Sequence, residues 1–340
     1  MKAELHACEK LLHPVYGAIS NDSICLHTIG LNRTARLLLS PAAPPLWAPP
    51  KAPKTAAKDS GLIYIAQNAV RHPESPLEPL FRSLYIENPS YRINQVDLIS
   101  DRNNIRKLLS FINPKFSRSG LEPFTIEVEV IGNTAVFCRA ETKTYEFIGP
   151  NEFRGYGHEF EKAFTKPQVP GSTGHHRVVS YNLGGLKFVV RYETDAYDGE
   201  DLGRQREKLN SEEDSILNVM QSLSLSRHGS HSRATVGSKL VVQKTGKEVP
   251  PDSTLEIKTR VSHKHLSIQE VLPQLWVSQT PRLVRAYHNR GTFAPPQVEH
   301  VTHEIAEWKK AHEHEIRGLV VLVEEVLKVV KEHGRNAVIK

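Results

Sequence analysis

Glu193 and Asp195 stand two positions apart, and Glu256 and Lys258 repeat that spacing further along the chain. In a β-strand, successive side chains point to opposite faces, so each pair shares one face. Tyr192 and Thr194 then face away from the first pair, and Leu255 and Ile257 away from the second. If the two strands are neighbours, three carboxylates and one ammonium converge. Crowding of that kind is unfavourable unless a cation offsets the repulsion. Oxygen donors suit magnesium or manganese rather than zinc. An ion held there polarises a phosphodiester and acidifies its bound water, while Lys258 orients that water or holds a phosphate oxygen. Taken singly, the Glu256-Ile257-Lys258 triplet is better explained as a solvated strand face with ordinary ion pairs. Glu161 adds a further acid, one helical turn after Gly157, where glycine leaves room for a phosphate backbone. Alone, that stretch reads as an amphipathic helix with Phe160 and Phe164 inside and Glu161 in water.

The elements that must position these groups are legible in part. Residues 100–113 predict a helix: Ser100 or Asp101 can cap it, and Ile105, Leu108, Leu109 and Ile112 fall on one face. Phe124, Ile126, Val128 and Val130 alternate with polar residues as a strand, Gly132-Asn133 turns, and 134–139 returns. Residues 156–164 predict a short helix. A second hairpin joins 176–182 to 186–195 through Gly184-Gly185. Residues 255–258 predict a short strand, Ser267 with Glu270 a capping box, 282–288 a buried strand, and 297–333 helix ending at Gly334. Together these predict an α+β fold, a mixed twisted sheet flanked by helices around a PD-(D/E)xK nuclease-like core. Residues 1–60 predict a partly irregular arm, proline-rich over 41–54 (PAAPPLWAPPKAPK). Residues 61–340 predict a single catalytic domain, with a mobile Ser-, Arg- and His-rich insertion at about 200–240.

Composition narrows the function. Of 340 residues, 39% are hydrophobic and 24% charged, which permits a packed core, and the net charge of +6 suits a polyanionic partner. The three cysteines, Cys8, Cys25 and Cys138, form no CxxC pair, which argues against both a disulfide framework and a structural zinc site. His175-His176, His263/His265 and His312/His314 lack the acid-bearing i, i+4 spacing of a helical zinc site and read as surface histidines. There is no P-loop, no GxSxG and no DDxxD. Met1-Lys2-Ala3-Glu4 shows no secretory pattern, and Leu319–Val330 is broken by Glu324, Glu325 and Lys328. The expectation is a nuclear or cytoplasmic protein, the nucleus preferred, that is neither secreted nor membrane-bound.

Several short motifs in register give the acids a context. Arg102 lies in SDRNNIRKLL, Glu161 closes GHEFE, Glu193-Thr194-Asp195 follows a hairpin, and Glu256-Ile257-Lys258 precedes Thr259. Trp276-Val277-Ser278-Gln279 then leads into PRLVRAYHNRGTF. In this order, over about residues 90–295, the chain resembles the decapping exoribonuclease (DXO) family, as a divergent, fungal-type member. The resemblance implies a metal-dependent hydrolase of RNA 5′ ends, with decapping, pyrophosphohydrolase or 5′→3′ exoribonuclease activity in RNA quality control. It implies two divalent ions, Mg2+ or Mn2+, held by Glu161, Asp195, Glu256 and the Ile257 carbonyl, with Glu193 serving the second. Lys258 and Gln279 would position the water and the scissile phosphate, and Arg102 a substrate phosphate. Arg191, and less securely placed Arg177, would line the RNA track. A 5′→3′ exonuclease is an implied protein partner. The chain departs from the family in a longer connection between the third and fourth motifs, and in Pro273. Two rival readings stay open: a catalytically weak scaffold that stabilises an exonuclease, and a DNA nuclease with the same core.

Overall fold

The computed structural model describes residues 24–32, 37–40, 42–199, 231–232, 240–334 and 336–340. Much of the insertion expected at about 200–240, and most of the N-terminal half of the expected arm, lie outside the described residues. The architecture is α+β with mixed sheets, as the patterning predicts, but the strands divide between two large sheets and a small ribbon.

The first sheet runs, from one edge to the other, through 231–232, 241–244, 37–40, 24–32, 172–183, 186–193, 98–101, 134–140, 125–131 and 336–339. Its centre is the hairpin of Ser172–Leu183 and Leu186–Glu193, whose Gly184 and Gly185 both take positive φ. Leu98–Asp101 joins that hairpin in parallel, with Asp101 opposite Arg191. The second sheet orders 165–166, 46–47, 196–197, 254–261, 282–289, 292–293 and 54–55, with 298–300 also on 282–289. The ribbon pairs Gly61–Tyr64 with Tyr145–Ile148. Strand residues 24–32, 37–40, 46–47 and 54–55 thus tie the N-terminal region into both large sheets.

Helices cover both faces of the first sheet, and one packs on the second. They are α1 (Gln67–Arg71), α2 (Glu78–Glu87), α3 (Arg102–Ile112), α4 (Gly157–Phe164), α5 (Leu272–Ser278), α6 (Thr302–Ala311) and α7 (Glu313–His333). Strand alternation decides which side chains meet them. Phe188 and Val190 face a core shared with Ile105, Leu109, Trp276, Trp308 and Leu319, from α3, α5, α6 and α7. Val189 faces the opposite core, with Leu80 of α2, Val96 and Val178. The second sheet packs on α4: Phe160 and Phe164 stack with centroids 4.0 Å apart and meet Phe293, Trp47 and Ile257. The expected helix over 297–333 is a strand, Val298–His300, followed by two helices that break at His312, with Gly334 at the end.

Candidate active site

The hairpin strand Leu186–Glu193 ends where the first sheet ends, and Ala196–Tyr197 belongs to the second. Glu193 and Asp195 therefore sit at the seam, where the chain crosses from one sheet to the other. Ala196 pairs antiparallel with Leu255, which sets Asp195 beside Glu256. The Asp195 Oδ2 accepts the Ile257 N–H at 2.7 Å. Glu256, 3% exposed, lies beneath. It accepts hydrogen bonds from Arg102 Nη1 at 3.0 Å, from Lys258 Nζ and from Gln274 Nε2.

Glu161 comes from the second sheet's helix. Because α4 has no side-chain cap of its own, its first turn leaves amides to satisfy. Buried Asp59 does so from outside: its Oδ1 accepts Glu159 N–H at 3.0 Å, and its own N–H donates to Gly155 O at 3.0 Å. A Cβ at Gly157 would meet only Thr259 Oγ1, at 3.6 Å, and Asp59, so packing does not demand glycine there. Arg102 opens α3 directly after the parallel strand Leu98–Asp101, and its guanidinium lies 5.6 Å from the Tyr192 ring centroid.

These acids are electrostatically unequal. Burial raises the Glu161 carboxyl well above its usual range, and Asp195 and Glu193 push it further. Burial and the Glu256 charge raise Asp195 to about 7, against the pull of Lys258 and the Ile257 amide. Glu193 also moves up, through loss of solvent and Glu256, while Arg102 restrains it. Its side chain keeps contact with water at the cleft mouth, which screens that effect. Glu256 alone goes down, to about 2: burial opposes ionisation, but Lys258 and Arg102 outweigh it.

Glu161, Glu193, Asp195 and Arg102 line an open cleft of about 630 Å³, with Arg106, Arg139, Arg191 and Lys162 on its walls. The Arg191 fork binds Asp101 at 2.7 and 3.0 Å and so keeps its place in the cleft wall. Desolvation, Arg102 and Glu256 all act on Arg106, one helical turn after Arg102, and the net effect lowers its pKa.

Whether a metal ion fits is a question of donor chemistry. Glu161, Glu193 and Asp195 repel one another or Glu256, and the protein cations nearest them, Arg102 and Lys258, are engaged by Glu256. Hard oxygen donors with unrelieved repulsion suit Mg2+ or Mn2+ in kind. Among the described residues, however, no three His, Cys, Asp or Glu side chains stand together as a ready-made cage.

The structure corrects four readings. The carboxamide that reaches Glu256 belongs to Gln274 and not to Gln279. Gln279 is the left-handed C-cap of α5, with φ 54°, and its Nε2 bends back to the Trp276 carbonyl. Pro273 occupies the first turn of α5, so it starts the helix instead of interrupting it. Arg177 is 1% exposed, donates from Nη2 to Val249 O at 2.9 Å and does not line the cleft. His175 and His176 are buried beside the cleft, not on the surface, and burial lowers both, His175 to about 4. Gln274 carried no signal in its spacing. The buried Glu256 partner shows only once α5 is docked between the two sheets.

A family described as "Domain of unknown function (DUF8563)" matches residues 12–340. No curated protein matches the sequence. Among solved structures, Rai1 of S. pombe superposes with TM-score 0.53 at 12% identity, covering 95% of each chain. Rai1 of Scheffersomyces stipitis, in complex with (3′-NADP)+ and calcium ion, gives 0.51 at 12%, covering 95% of this chain and 86% of that one. K. lactis Dxo1, in complex with manganese, gives 0.50 at 11%, covering 97% and 91%. At these identities the fold is what is shared, and it is the fold that the motif order implied.

Proposed function

This chain belongs to the DUF8563 family, and we propose that it is a metal-dependent hydrolase of RNA 5′ ends. The observation that carries the reading is the seam: Glu193 and Asp195 leave one sheet, Glu256 lies on the neighbouring strand of the other, and Glu161 faces them in the same basic-walled cleft. The shared fold adds weight, because S. stipitis Rai1 is solved with a dinucleotide and calcium and K. lactis Dxo1 with manganese.

In this reading Glu161, Asp195, Glu256 and the Ile257 carbonyl would hold a divalent ion, with Glu193 serving a second. Bound there, such ions supply charge neutralisation at the phosphate and a more acidic water. The chain's own residues do the rest. Arg102, Arg106 and Arg139 face the cleft as cations and bind the 5′-terminal phosphates. Lys258, poised on Glu256, is within reach of the same seam and orients the attacking water. Gln274 fixes the rotamer of Glu256. Gln279 would join only if α5's last turn reopened.

The test is incubation of purified protein, with and without manganese, on one RNA carrying triphosphate, monophosphate or unmethylated-cap 5′ ends, beside a circular form and a matched DNA. Metal-dependent loss of the linear RNAs with the circle intact supports the reading. Comparable cleavage of the circle identifies an endonuclease and overturns it. The scaffold reading draws on one observation, the occupation of both Glu256 oxygens by protein donors. It predicts no turnover with any divalent ion.

A further inference from the structure

The small ribbon carries a surface that the catalytic reading does not use. Its register places Leu62 opposite Phe147 and Tyr64 opposite Tyr145. Cross-strand partners point to one face, so these four side chains form a single panel. They are exposed, Leu62 by 51%, Tyr145 by 54% and Phe147 by 67%, with Tyr64 less so. The opposite face of the ribbon holds the half-buried Ile63 and buried Ile148, so the ribbon is seated on the protein and the panel looks outward. Of the six exposed aromatic side chains among the described residues, three are in this panel and a fourth, Phe153, lies in the segment just after it. A soluble surface does not concentrate aromatic rings in this way without a use.

Two features say what the use is. First, cations frame the rings: the Arg71 guanidinium lies 5.4 Å from the Tyr64 centroid, and Lys58 Nζ lies 5.8 Å from that of Phe153. Rings interleaved with cations match a chain of bases joined by phosphates, the rings taking base faces and the cations the backbone. Second, the panel is continuous with the cleft, since Leu62, Tyr64 and Ile65 are themselves lining residues of it. Side chains two apart on a strand are separated by ~7 Å, enough for successive bases to rest on separate rings.

We propose that the outward face of the 61–64/145–148 ribbon is a stacking platform for single-stranded RNA, taking the nucleotides that trail behind a 5′ end held in the cleft. The proposal rests on the hydrolase reading for the direction of the strand, but not for the binding itself. Stacking is indifferent to base identity, so the platform holds RNA by length and not by sequence.

The experiment measures fluorescence anisotropy in metal-free buffer with 5′-phosphorylated oligouridylates, a trinucleotide and one of about 12 nucleotides. It compares the wild type with the double variant Tyr145→Ala/Phe147→Ala and with Tyr145→Phe/Phe147→Tyr, all checked for unchanged melting. The alanine pair should weaken the longer RNA about tenfold or more and leave the trinucleotide unchanged, and the aromatic pair should bind as wild type. Equal binding of the long RNA by the alanine pair overturns the platform, as does equal weakening of both lengths. So does a ring-dependent dimer, seen by sedimentation, with RNA binding intact. Manganese-dependent turnover of the trinucleotide, scored separately, tests the hydrolase reading: its absence beside ring-dependent binding removes the catalysis and keeps the platform.

Discussion

Lys258→Met tests whether Glu256 is an ionised carboxylate kept so by its neighbours. The Glu256 carboxyl lies at about 2 instead of 4.5, and Lys258 and Arg102 are what hold it down. A difference of that size corresponds to roughly 3 kcal/mol at neutral pH, since each tenfold in proton affinity is about 1.4 kcal/mol. The Lys258 side chain is 34% exposed, so water screens part of its share, and the expected loss is about 2 kcal/mol. For a chain of this size that is a fall in Tm of about 3 °C.

The sign of the pH dependence follows from the direction. A carboxyl lowered in the folded state contributes stability that is complete above its unfolded value, 4.5, and is lost as pH falls through about 2. The gap between wild type and Lys258→Met should therefore be widest at neutral pH and narrow on acidification below about 4.5. Denaturant titrations at a series of pH values read it directly. Arg102→Met should behave alike, and the two losses should fail to add because both cations act on one carboxylate. A gap that does not change with pH would mean the variant lost packing and not charge, and the electrostatic account of the seam would be refuted.

Asp195→Asn should abolish hydrolysis yet raise Tm at pH 8, because burial and Glu256 raise the Asp195 carboxyl to about 7 and folding is penalised once the unfolded chain ionises near 3.8; the gain should vanish in melts near pH 4. Asp59→Ala should lower Tm by about 2 °C, through loss of a cap worth about 1 kcal/mol, and cut turnover more than the melt explains because α4 carries Glu161. Asp59→Asn keeps an acceptor oxygen and should restore most of both, as thermal scans and single-turnover rates would show. Gln274→Ala should reduce turnover more than Gln279→Ala in the same manganese assay, since of the two glutamines it is Gln274 that touches Glu256.

What the sequence disclosed was local. Period-two alternation located Glu193 with Asp195 and Glu256 with Lys258; the second pair does share one strand, whereas the first strand ends at Glu193 and Asp195 lies in the step to the next sheet. Helix spacing and the capping box at Ser267 and Glu270 were equally readable, because both are set within a few residues. What failed needed the third dimension. Arg177 and Arg191 are similar residues on one hairpin, yet Arg177 is buried against Val249 while Arg191 reaches the cleft through Asp101. The partner strands decide that, and they lie far off in sequence. The positive φ at Gln279 follows from how α5 must turn to enter the Arg282 strand, a tertiary demand with no composition signal. The ribbon shows the same limit: Leu62 with Tyr64, and Tyr145 with Phe147, alternate plainly, but their pairing spans a gap of roughly 80 residues that no local pattern bridges.

The charge balance of the seam leads to one more expectation. Arg102 and Lys258 cannot both neutralise Glu256 and bind a phosphate at full strength. A phosphate entering the cleft draws these cations toward itself, and the Glu256 carboxylate is then left to share the repulsion that already raises Asp195 and Glu161. Four carboxylates without their cations are a stronger site for a divalent ion than the seam in its described state. Binding of the phosphate ligand and of the ion should therefore be mutually favourable, and by linkage the factor is the same in either order. Calorimetric titration with calcium should show a tighter fit in the presence of a 5′-phosphorylated trinucleotide, by about fivefold or more. The enhancement should shrink in Lys258→Met, where one of the two cations is already gone. Equal calcium affinity with and without the trinucleotide would mean that Glu256 stays locked by its partners. Glu256 with its cations would then serve folding rather than ion binding.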